Sequence, residues 1–194
     1  MPFVLEGLVT SVAADGAPHL APMGPEIVGP PGAIERLVLK PFQTSTTYQN
    51  LRRAGCGVFH VTDDVELLAR AAVGGLAEAP RWLADHPTEG RWILADACRW
   101  YAFEIRSLDD RAERVRMEAE VVASGRLRDF AGFNRAQFAV LEAAILATRV
   151  AWLPPDEIFA QLDRLRPLVE KTGGAAEERA WAFLAEFFRA RLGR

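Results

Sequence analysis

The sequence predicts a mainly β protein with a helical C-terminal third, and three observations support this fold class. Up to residue 128, short strand-like runs are bounded by glycine and proline clusters. Beyond that point, apolar residues recur at helical spacing in three successive segments. Half of the 194 residues are hydrophobic, which allows a sizeable core. We therefore expect a β domain over residues 1–128 and a helical extension over residues 129–194.

The first two strands are predicted to form a hairpin. Two extended runs flank Asp15-Gly16, a dipeptide that favours the positive φ angles of a tight turn. The second run carries Pro18, Pro22 and Pro25, and none of these has an N–H to donate to a neighbouring strand. The second run is therefore expected at an edge of the sheet, or broken at bulges.

Four more strands and two short helices are expected before residue 128. The strands have the sequences ERLVLKPF, CGVFHVTD, RWILADACRWYAFEIRSL and RVRMEAEVVASGRL. One helix follows PF at residue 42, and the other covers DDVELLARAAVGG. Asp63 is the predicted cap of this second helix, because Glu66 follows three residues later as in a capping box. Residues 75–90 are expected to form an irregular connection.

Three helices are predicted in the C-terminal extension. Asn134 is the expected cap of the first, and Pro154-Pro155 stop it. Pro167 is expected to kink the second helix or to restart it, and Gly173-Gly174 end it. The third has acidic residues at its start and arginines at its end, which the helix dipole favours.

Composition excludes several classes of protein. The formal net charge is −3, with charges of both signs scattered along the chain, so a nucleic-acid binder is not expected. No apolar run of about 20 residues is present, so no membrane span is predicted. The N-terminus lacks the features of a secretory signal. Two distant cysteines are too few for a disulfide framework, and we expect a cytoplasmic protein.

Four hydroxyl side chains in a row mark the junction between the strand RLVLK and the helix that follows. They are Thr44, Ser45, Thr46 and Thr47. Unpaired N–H groups and the peptide dipole at a helix start suit a phosphate group, and Lys40 would add a full positive charge. Alternatively, one hydroxyl caps the helix and the others fill turn positions. The residues leave both interpretations open, because neither GxGxxG nor a P-loop is present.

The stretch LKPFQTSTTYQNLRRAGCGVFHVTDDVELLARAAV, residues 39–73, resembles flavin reductase-like proteins with an FMN-binding split β-barrel. More narrowly, it is similar to the family described as domain of unknown function 447. The segments EGLVTSVAADGAPHLAPMG, LADACRWYAFEI, FNRAQFAVLEAAILATRV and LVEKTGG also resemble that family. The resemblance therefore covers nearly the whole chain.

This resemblance implies a six-stranded antiparallel Greek-key split barrel, and a homodimer with FMN near the subunit interface. The segment after the third strand would hold the FMN phosphate, and the strand ending APMG would face the flavin ring. Met23 stands where related flavin reductases carry an aromatic residue. The expected cofactor-binding residues are Pro22, Met23, Gly24, Lys40, Phe42, Gln43, Thr44, Ser45, Thr46, Thr47, Asn50 and Asp63.

Other chemistry-bearing residues have simpler structural interpretations. Asp63 and Asp64 could form an acid–base pair, but helix capping explains them more simply. Cys56 and His60 lie on one face of a strand without the third and fourth ligands that zinc requires. A group of aromatic residues could wall a flavin or fill the core, and core filling is the commoner role. That group is Trp82, Trp92, Trp100 and Tyr101.

The expected function is that of an FMN-binding flavoprotein. It would be a flavin reductase-like oxidoreductase, taking hydride from NADH or NADPH and passing it through FMN to a small acceptor. The alternative is a carrier, sensor or assembly protein that binds FMN without turnover. No catalytic acid, base or nucleophile is predicted, because the flavin carries its own redox chemistry.

Overall fold

A computed structural model describes residues 2–30, 33–76, 78–83 and 91–193. The chain folds into two compact units, which are described separately. The first comprises Met1–Thr62 and Pro80–Phe130, and the second comprises Asp63–Ala79 and Ala131–Arg194. The sequence assigned residues 63–79 to the β domain, whereas this segment belongs to the helical unit. The domain boundary at residue 128 stays a prediction.

In the described residues, the first unit is a seven-stranded antiparallel sheet with one helix. Its strands are β1 Gly7–Val12, β2 Pro18–Met23, β3 Glu26–Val28, β4 Arg36–Leu39, β5 Cys56–Val61, β6 Arg99–Asp109 and β7 Arg116–Arg126. The helix, α1, spans Thr46–Ala54 between β4 and β5. In space the strand order is β2-β1-β5-β6-β7-β4-β3.

The predicted first hairpin is confirmed. β1 and β2 pair from Gly7↔Met23 to Val12↔Pro18, and β2 lies at an edge of the sheet, where its prolines need no partner. Gly16 in the turn has a φ of 86°, a conformation that residues with a Cβ rarely adopt.

The described ranges contain a sheet of seven strands, where the resemblance implied six. The run after Asp15-Gly16 is interrupted at Gly24-Pro25, because Pro25 has no N–H for the ladder, and the chain then starts the separate strand β3. Only two residues separate β2 from β3, yet these strands lie at opposite edges of the sheet. The sheet must therefore curl so that its edges approach each other. The N-terminal segment contributes to this closure, since Leu5 N donates to Pro25 O and Ile27 N donates to Phe3 O.

Both faces of the sheet bury apolar side chains. The larger cluster includes Phe59, Tyr101 and Phe103 from the sheet, with Tyr48 and Leu51 from α1 packed against them. A second, smaller cluster contains Val58, Ile93, Trp100 and Ala102. Trp100 and Tyr101 are thus core residues, as the commoner interpretation of the aromatic group proposes.

Four helices make up most of the second unit in the part of the chain that the structure describes. They are α2 Val65–Ala72, α3 Arg135–Ala147, α4 Pro155–Thr172 and α5 Ala175–Leu192. Asn134 caps α3 as predicted. Pro167 lies inside a single continuous α4, so the predicted restart does not occur. Asp64 caps α2, and the prediction of Asp63 as the cap is wrong. Asp63 instead accepts a hydrogen bond from Ala131 N.

The irregular connection expected over residues 75–90 lies partly outside the described residues. Within the described ranges, no helix is both long and apolar enough to cross a membrane. The same residues contain no cluster of three metal-ligating side chains.

Candidate functional site

The junction between β4 and α1 is the candidate site, and Ser45 begins its helix. The Ser45 Oγ accepts a hydrogen bond from Tyr48 N at 3.2 Å and donates one to Phe42 O at 2.7 Å. Ser45 therefore acts as the N-cap and has already used its hydroxyl proton within the turn.

The other three hydroxyl residues of the run differ in exposure. Thr44 and Thr46 are exposed to solvent, while Thr47 is buried. Thr46 and Thr47 are also the first two residues of α1, where backbone N–H groups have no acceptor within the helix. The junction thus presents two solvent-exposed hydroxyls beside two backbone donors that the helix leaves unpaired.

Lys40 does not present a free charge to this junction. Its Nζ forms an ion pair with Glu26 Oε1. The other carboxylate oxygen of Glu26 lies 3.8 Å from the guanidinium of Arg116. Glu26 is mostly buried, so its negative charge is well placed to offset that of Lys40. The predicted role of Lys40 toward a phosphate stays a prediction.

Phe42 and Gln43 connect the junction to the tip of the β6–β7 hairpin. Gln43 Nε2 donates to Ala112 O at 3.0 Å and also to Asp110 O. Gln43 N donates to Glu113 O at 3.1 Å. Phe42 makes an isolated antiparallel bridge to Arg114. The side-chain amide of Gln43 is therefore engaged in holding this hairpin tip against the junction.

A polar network joins α1 to β1. Asn50 Nδ2 donates to Ser11 Oγ at 3.1 Å, and its Oδ1 accepts from Arg53 at 3.3 Å. Arg53 also donates to Val12 O. Thr47 is three residues before Asn50 and shares its buried face. These contacts fix α1 on β1. Both the nitrogen and the oxygen of the Asn50 amide are hydrogen-bonded to other side chains of the protein.

The end of β2 carries the residues predicted to face a flavin ring. Pro22 pairs with Leu8, and the Met23 side chain packs against the larger core cluster. A Cβ on Gly24 would lie 2.8 Å from both the Glu6 carboxylate and the side chain of Val4, so a larger residue there would require these side chains to shift. α1 packs against β1 and β2, which brings the helix and the β2 strand into one part of the first unit.

Asp63, the remaining predicted cofactor residue, lies in the second unit. Its role toward a cofactor stays a prediction.

Both ring nitrogens of His60 are hydrogen-bonded to backbone groups in the core. It is completely buried, its Nε2 accepts from Leu94 N at 3.1 Å, and its Nδ1 lies 3.3 Å from Leu8 O. The ring is therefore neutral with its proton on Nδ1, which donates to Leu8 O. Burial lowers its pKa to about 3, although the hydrogen bond to Leu8 acts in the opposite direction.

Sequence reasoning missed Arg114 as a neighbour of the junction. Its guanidinium lies 4.4 Å from the centre of the Phe42 ring, and its NH1 is 3.5 Å from Lys40 O. More than 70 residues separate Arg114 from Lys40 along the chain. No local pattern could have indicated their proximity, because it depends on how the β6–β7 hairpin packs.

The donors of the junction suit a phosphate group. Hydroxyls and backbone N–H groups at a helix start are typical phosphate ligands, and the peptide dipole favours a negative charge there. The exposed hydroxyls of Thr44 and Thr46, with the N–H groups of Thr46 and Thr47, form such a set.

Two family models match the chain. The model described as protein of unknown function (DUF447) N-terminal domain matches residues 5–128. The model described as protein of unknown function (DUF447) matches residues 134–186. No curated protein matches the chain.

Several solved structures share the fold. The FMN-bound protein MM1853 from Methanosarcina mazei, a DUF447 protein, aligns with a TM-score of 0.80 and 23% identity over 96% of each chain. Flavoredoxin from Methanosarcina acetivorans aligns with a TM-score of 0.52 and 9% identity over 63% of this chain and 68% of its own. The FMN-binding protein from Thermus thermophilus with bound p-hydroxybenzaldehyde aligns with a TM-score of 0.52 and 15% identity over 64% of this chain and 73% of its own.

Proposed function

The chain belongs to the DUF447 family of proteins of unknown function, and on that premise we propose that it is a flavoprotein that binds FMN. One observation carries the proposal. The fold matches an FMN-bound protein of the same family over 96% of each chain. The phosphate-type donors at the start of α1 add support from this chain's own residues.

In this proposal the FMN phosphate binds at the start of α1. The hydroxyls of Thr44 and Thr46 and the first backbone N–H groups of the helix donate to it. Ser45 positions these donors by capping the helix. The residues that border the junction and hold its shape are Phe42, Gln43, Thr47 and Asn50.

The flavin ring lies, in the same proposal, against the end of β2. Pro22, Met23 and Gly24 form this strand end. Met23 packs against the core cluster to which Tyr48 and Leu51 of α1 also belong. The curled sheet would be the split barrel of flavin reductase-like proteins. A second copy of the chain would complete the FMN site in a homodimer.

The proposed reaction is that of a flavin reductase-like oxidoreductase. Bound FMN supplies the redox chemistry, accepting hydride from NADH or NADPH and passing electrons to a small acceptor. The chain contributes binding, orientation and exclusion of water. We place this activity in the cytoplasm, consistent with two cysteines that are not joined in a disulfide.

A carrier or sensor without turnover is the second candidate. The junction sequence KPFQTSTTYQN contains no histidine, cysteine or carboxylate to move a proton. This composition favours a site that binds the cofactor over one that adds acid–base catalysis.

The first experiment measures FMN binding. The full-length protein is titrated with FMN, and quenching of flavin fluorescence gives the dissociation constant. Saturable binding with one FMN per chain, and a flavin absorbance spectrum on the loaded protein, are expected. An unquenched flavin at high protein concentration would refute the proposal.

The second experiment separates turnover from storage. FMN-loaded protein is mixed with NADH or NADPH in the absence of oxygen, and flavin absorbance is followed. Bleaching on a timescale of seconds supports an oxidoreductase, while a flavin that stays oxidised supports the carrier. Light scattering during size-exclusion chromatography of the same sample tests the homodimer.

A further inference from the structure

The junction needs a positive charge that its own strand does not supply freely. A phosphate monoester carries up to two negative charges, and hydroxyls with backbone N–H groups offset them only in part. Lys40 is the nearest cation along the chain, but its ammonium is paired with Glu26. Glu26 is largely buried, and breaking its pair with Lys40 to serve a phosphate would leave that carboxylate with weaker compensation.

A second cation reaches the junction from the β6–β7 hairpin. The tip of this hairpin is fixed to the junction by the three hydrogen bonds of Gln43 and by Val115 N, which donates to Pro41 O at 3.0 Å. The Tyr48 hydroxyl adds a bond of 3.0 Å to Asp110. The tip therefore has a defined position beside the residues that precede α1.

Arg114 is the residue of this tip whose charge remains available. Its guanidinium stacks on Phe42 at 4.4 Å and approaches Lys40 O at 3.5 Å. In the part of the chain that the structure describes, no carboxylate lies within ion-pair distance of it. Arg111, in the same tip, is held by Asp109 through both carboxylate oxygens. Stacking on an aromatic ring uses the face of the guanidinium and leaves its N–H groups in the plane for hydrogen bonds, one of which is made to Lys40 O.

We propose that Arg114 is a phosphate-binding residue of the FMN site and supplies the charge that the sequence pattern assigned to Lys40. The inference rests on the proposed function and names a residue of that same site. A planar guanidinium can donate two parallel hydrogen bonds to phosphate oxygens, which an ammonium group cannot do. Phe42 then serves as the platform that orients Arg114.

The test compares FMN with riboflavin, which lacks the phosphate. Both ligands are titrated by flavin fluorescence against the wild-type chain and four variants: Arg114→Gln, Arg114→Lys, Lys40→Gln and Arg111→Gln. Arg111→Gln is the matched control. It also removes a cation from this tip, but the guanidinium of Arg111 is already paired with Asp109. Thermal melting of each variant confirms that it is folded.

We expect Arg114→Gln to raise the FMN dissociation constant by at least about tenfold, since a charged hydrogen-bond pair to phosphate is lost. Arg114→Lys should recover part of this loss, and Lys40→Gln and Arg111→Gln should each change it by less than about threefold. Riboflavin should bind every folded variant as it binds the wild type.

Three results would overturn the assignment of Arg114. The first is an unchanged FMN dissociation constant in folded Arg114→Gln, and the second is a larger loss in Lys40→Gln than in Arg114→Gln. Equal weakening of FMN and riboflavin by Arg114→Gln would also contradict it, because the effect would then not depend on phosphate. Failure of the proposed function is recognised separately, as a wild-type chain that binds neither flavin.

Discussion

Two polar regions of the first unit use their hydrogen-bonding groups in opposite ways. His60 is completely buried, and both ring nitrogens are bonded to backbone groups of Leu8 and Leu94. At the start of α1, by contrast, Thr44 and Thr46 are exposed and the first N–H groups of the helix have no helical acceptor. One region is complete without a ligand, and the other presents exposed hydroxyl donors beside N–H groups that the helix leaves unpaired.

The difference shows why a perturbed pKa alone is a poor guide to function. The pKa of His60 is lowered to about 3, yet the cause is burial within a satisfied structural network. The hydroxyls at the junction do not titrate in the physiological range, but they are available to donate. A binding site in this protein is indicated by groups that the fold leaves free.

The largest effect is expected from removing the His60 side chain. His60→Ala would leave a cavity and strand the Leu94 N–H and the Leu8 carbonyl without partners. We expect a loss of about 3–5 kcal/mol in the free energy of unfolding. Urea denaturation followed by circular dichroism measures it. His19→Ala, on the edge strand β2, is the control and should cost less than about 1 kcal/mol.

The second prediction concerns the exposed hydroxyls. Thr44→Ala combined with Thr46→Ala should raise the FMN dissociation constant by at least about tenfold, since hydrogen bonds to a charged group contribute about 1.5–3 kcal/mol each. Because both side chains are exposed, the free energy of unfolding should change by less than about 1 kcal/mol. Fluorescence titration with FMN and with riboflavin measures the effect. Equal affinity of the double variant and the wild type for FMN would show that these hydroxyls are not phosphate ligands.

Much of the fold could be predicted because its signals are local. Asp15-Gly16 indicated the first hairpin, the prolines of β2 indicated an edge strand, and Asn134 indicated the start of α3. The separate strand β3 was not predicted, because its pairing with β4 depends on how the sheet curls. The grouping of α2 with the C-terminal helices was missed for a similar reason, since helix packing across distant segments leaves no local pattern.

The candidate site was predicted only in part. The four hydroxyls look alike in the sequence, whereas helical geometry assigns them different environments. Ser45 is the cap, Thr46 faces solvent, and Thr47 shares the buried face of Asn50. Helical spacing from Thr47 to Asn50 could have indicated this face. The pairing of Lys40 with Glu26 and the approach of Arg114 are long-range contacts that a single sequence does not reveal.

The third prediction uses the pH dependence of stability. The folded-state pKa of His60 is lowered from 6.5 to about 3, so below pH 6.5 the unfolded chain binds a proton that the folded chain excludes. The contribution of His60 to the free energy of unfolding is therefore fully present above pH 6.5. It decreases as the pH falls below that value, by up to about 1.4 kcal/mol per pH unit. In His60→Gln this component of the slope should disappear, while the glutamine amide can still bond to the same two backbone groups.

Urea denaturation of both proteins between pH 4 and pH 7 measures the two slopes. His19→Gln is the control. The pKa of His19 is also lowered by burial, but His19 is only half-buried, so its contribution has the same sign and is smaller. Parallel pH profiles for the wild type and His60→Gln would mean that His60 binds its proton equally well in the folded and unfolded chains, contrary to the buried network described above.

The smallest effect is expected at Ser45, and it separates a cap from a ligand. Ser45→Ala removes the acceptor of Tyr48 N and should lower the free energy of unfolding by about 1 kcal/mol. Because the Ser45 proton is donated to Phe42 O, we expect the FMN dissociation constant to change less than in the Thr44 and Thr46 double variant. Asn134→Ala, which removes the cap of α3, should cost a similar amount of stability with no change in FMN affinity. If Ser45→Ala weakened FMN binding as strongly as the double variant, Ser45 would have to release Phe42 and bind the phosphate itself. The bond from Ser45 Oγ to Phe42 O would then be a feature of the ligand-free junction only, while the cap to Tyr48 N could persist.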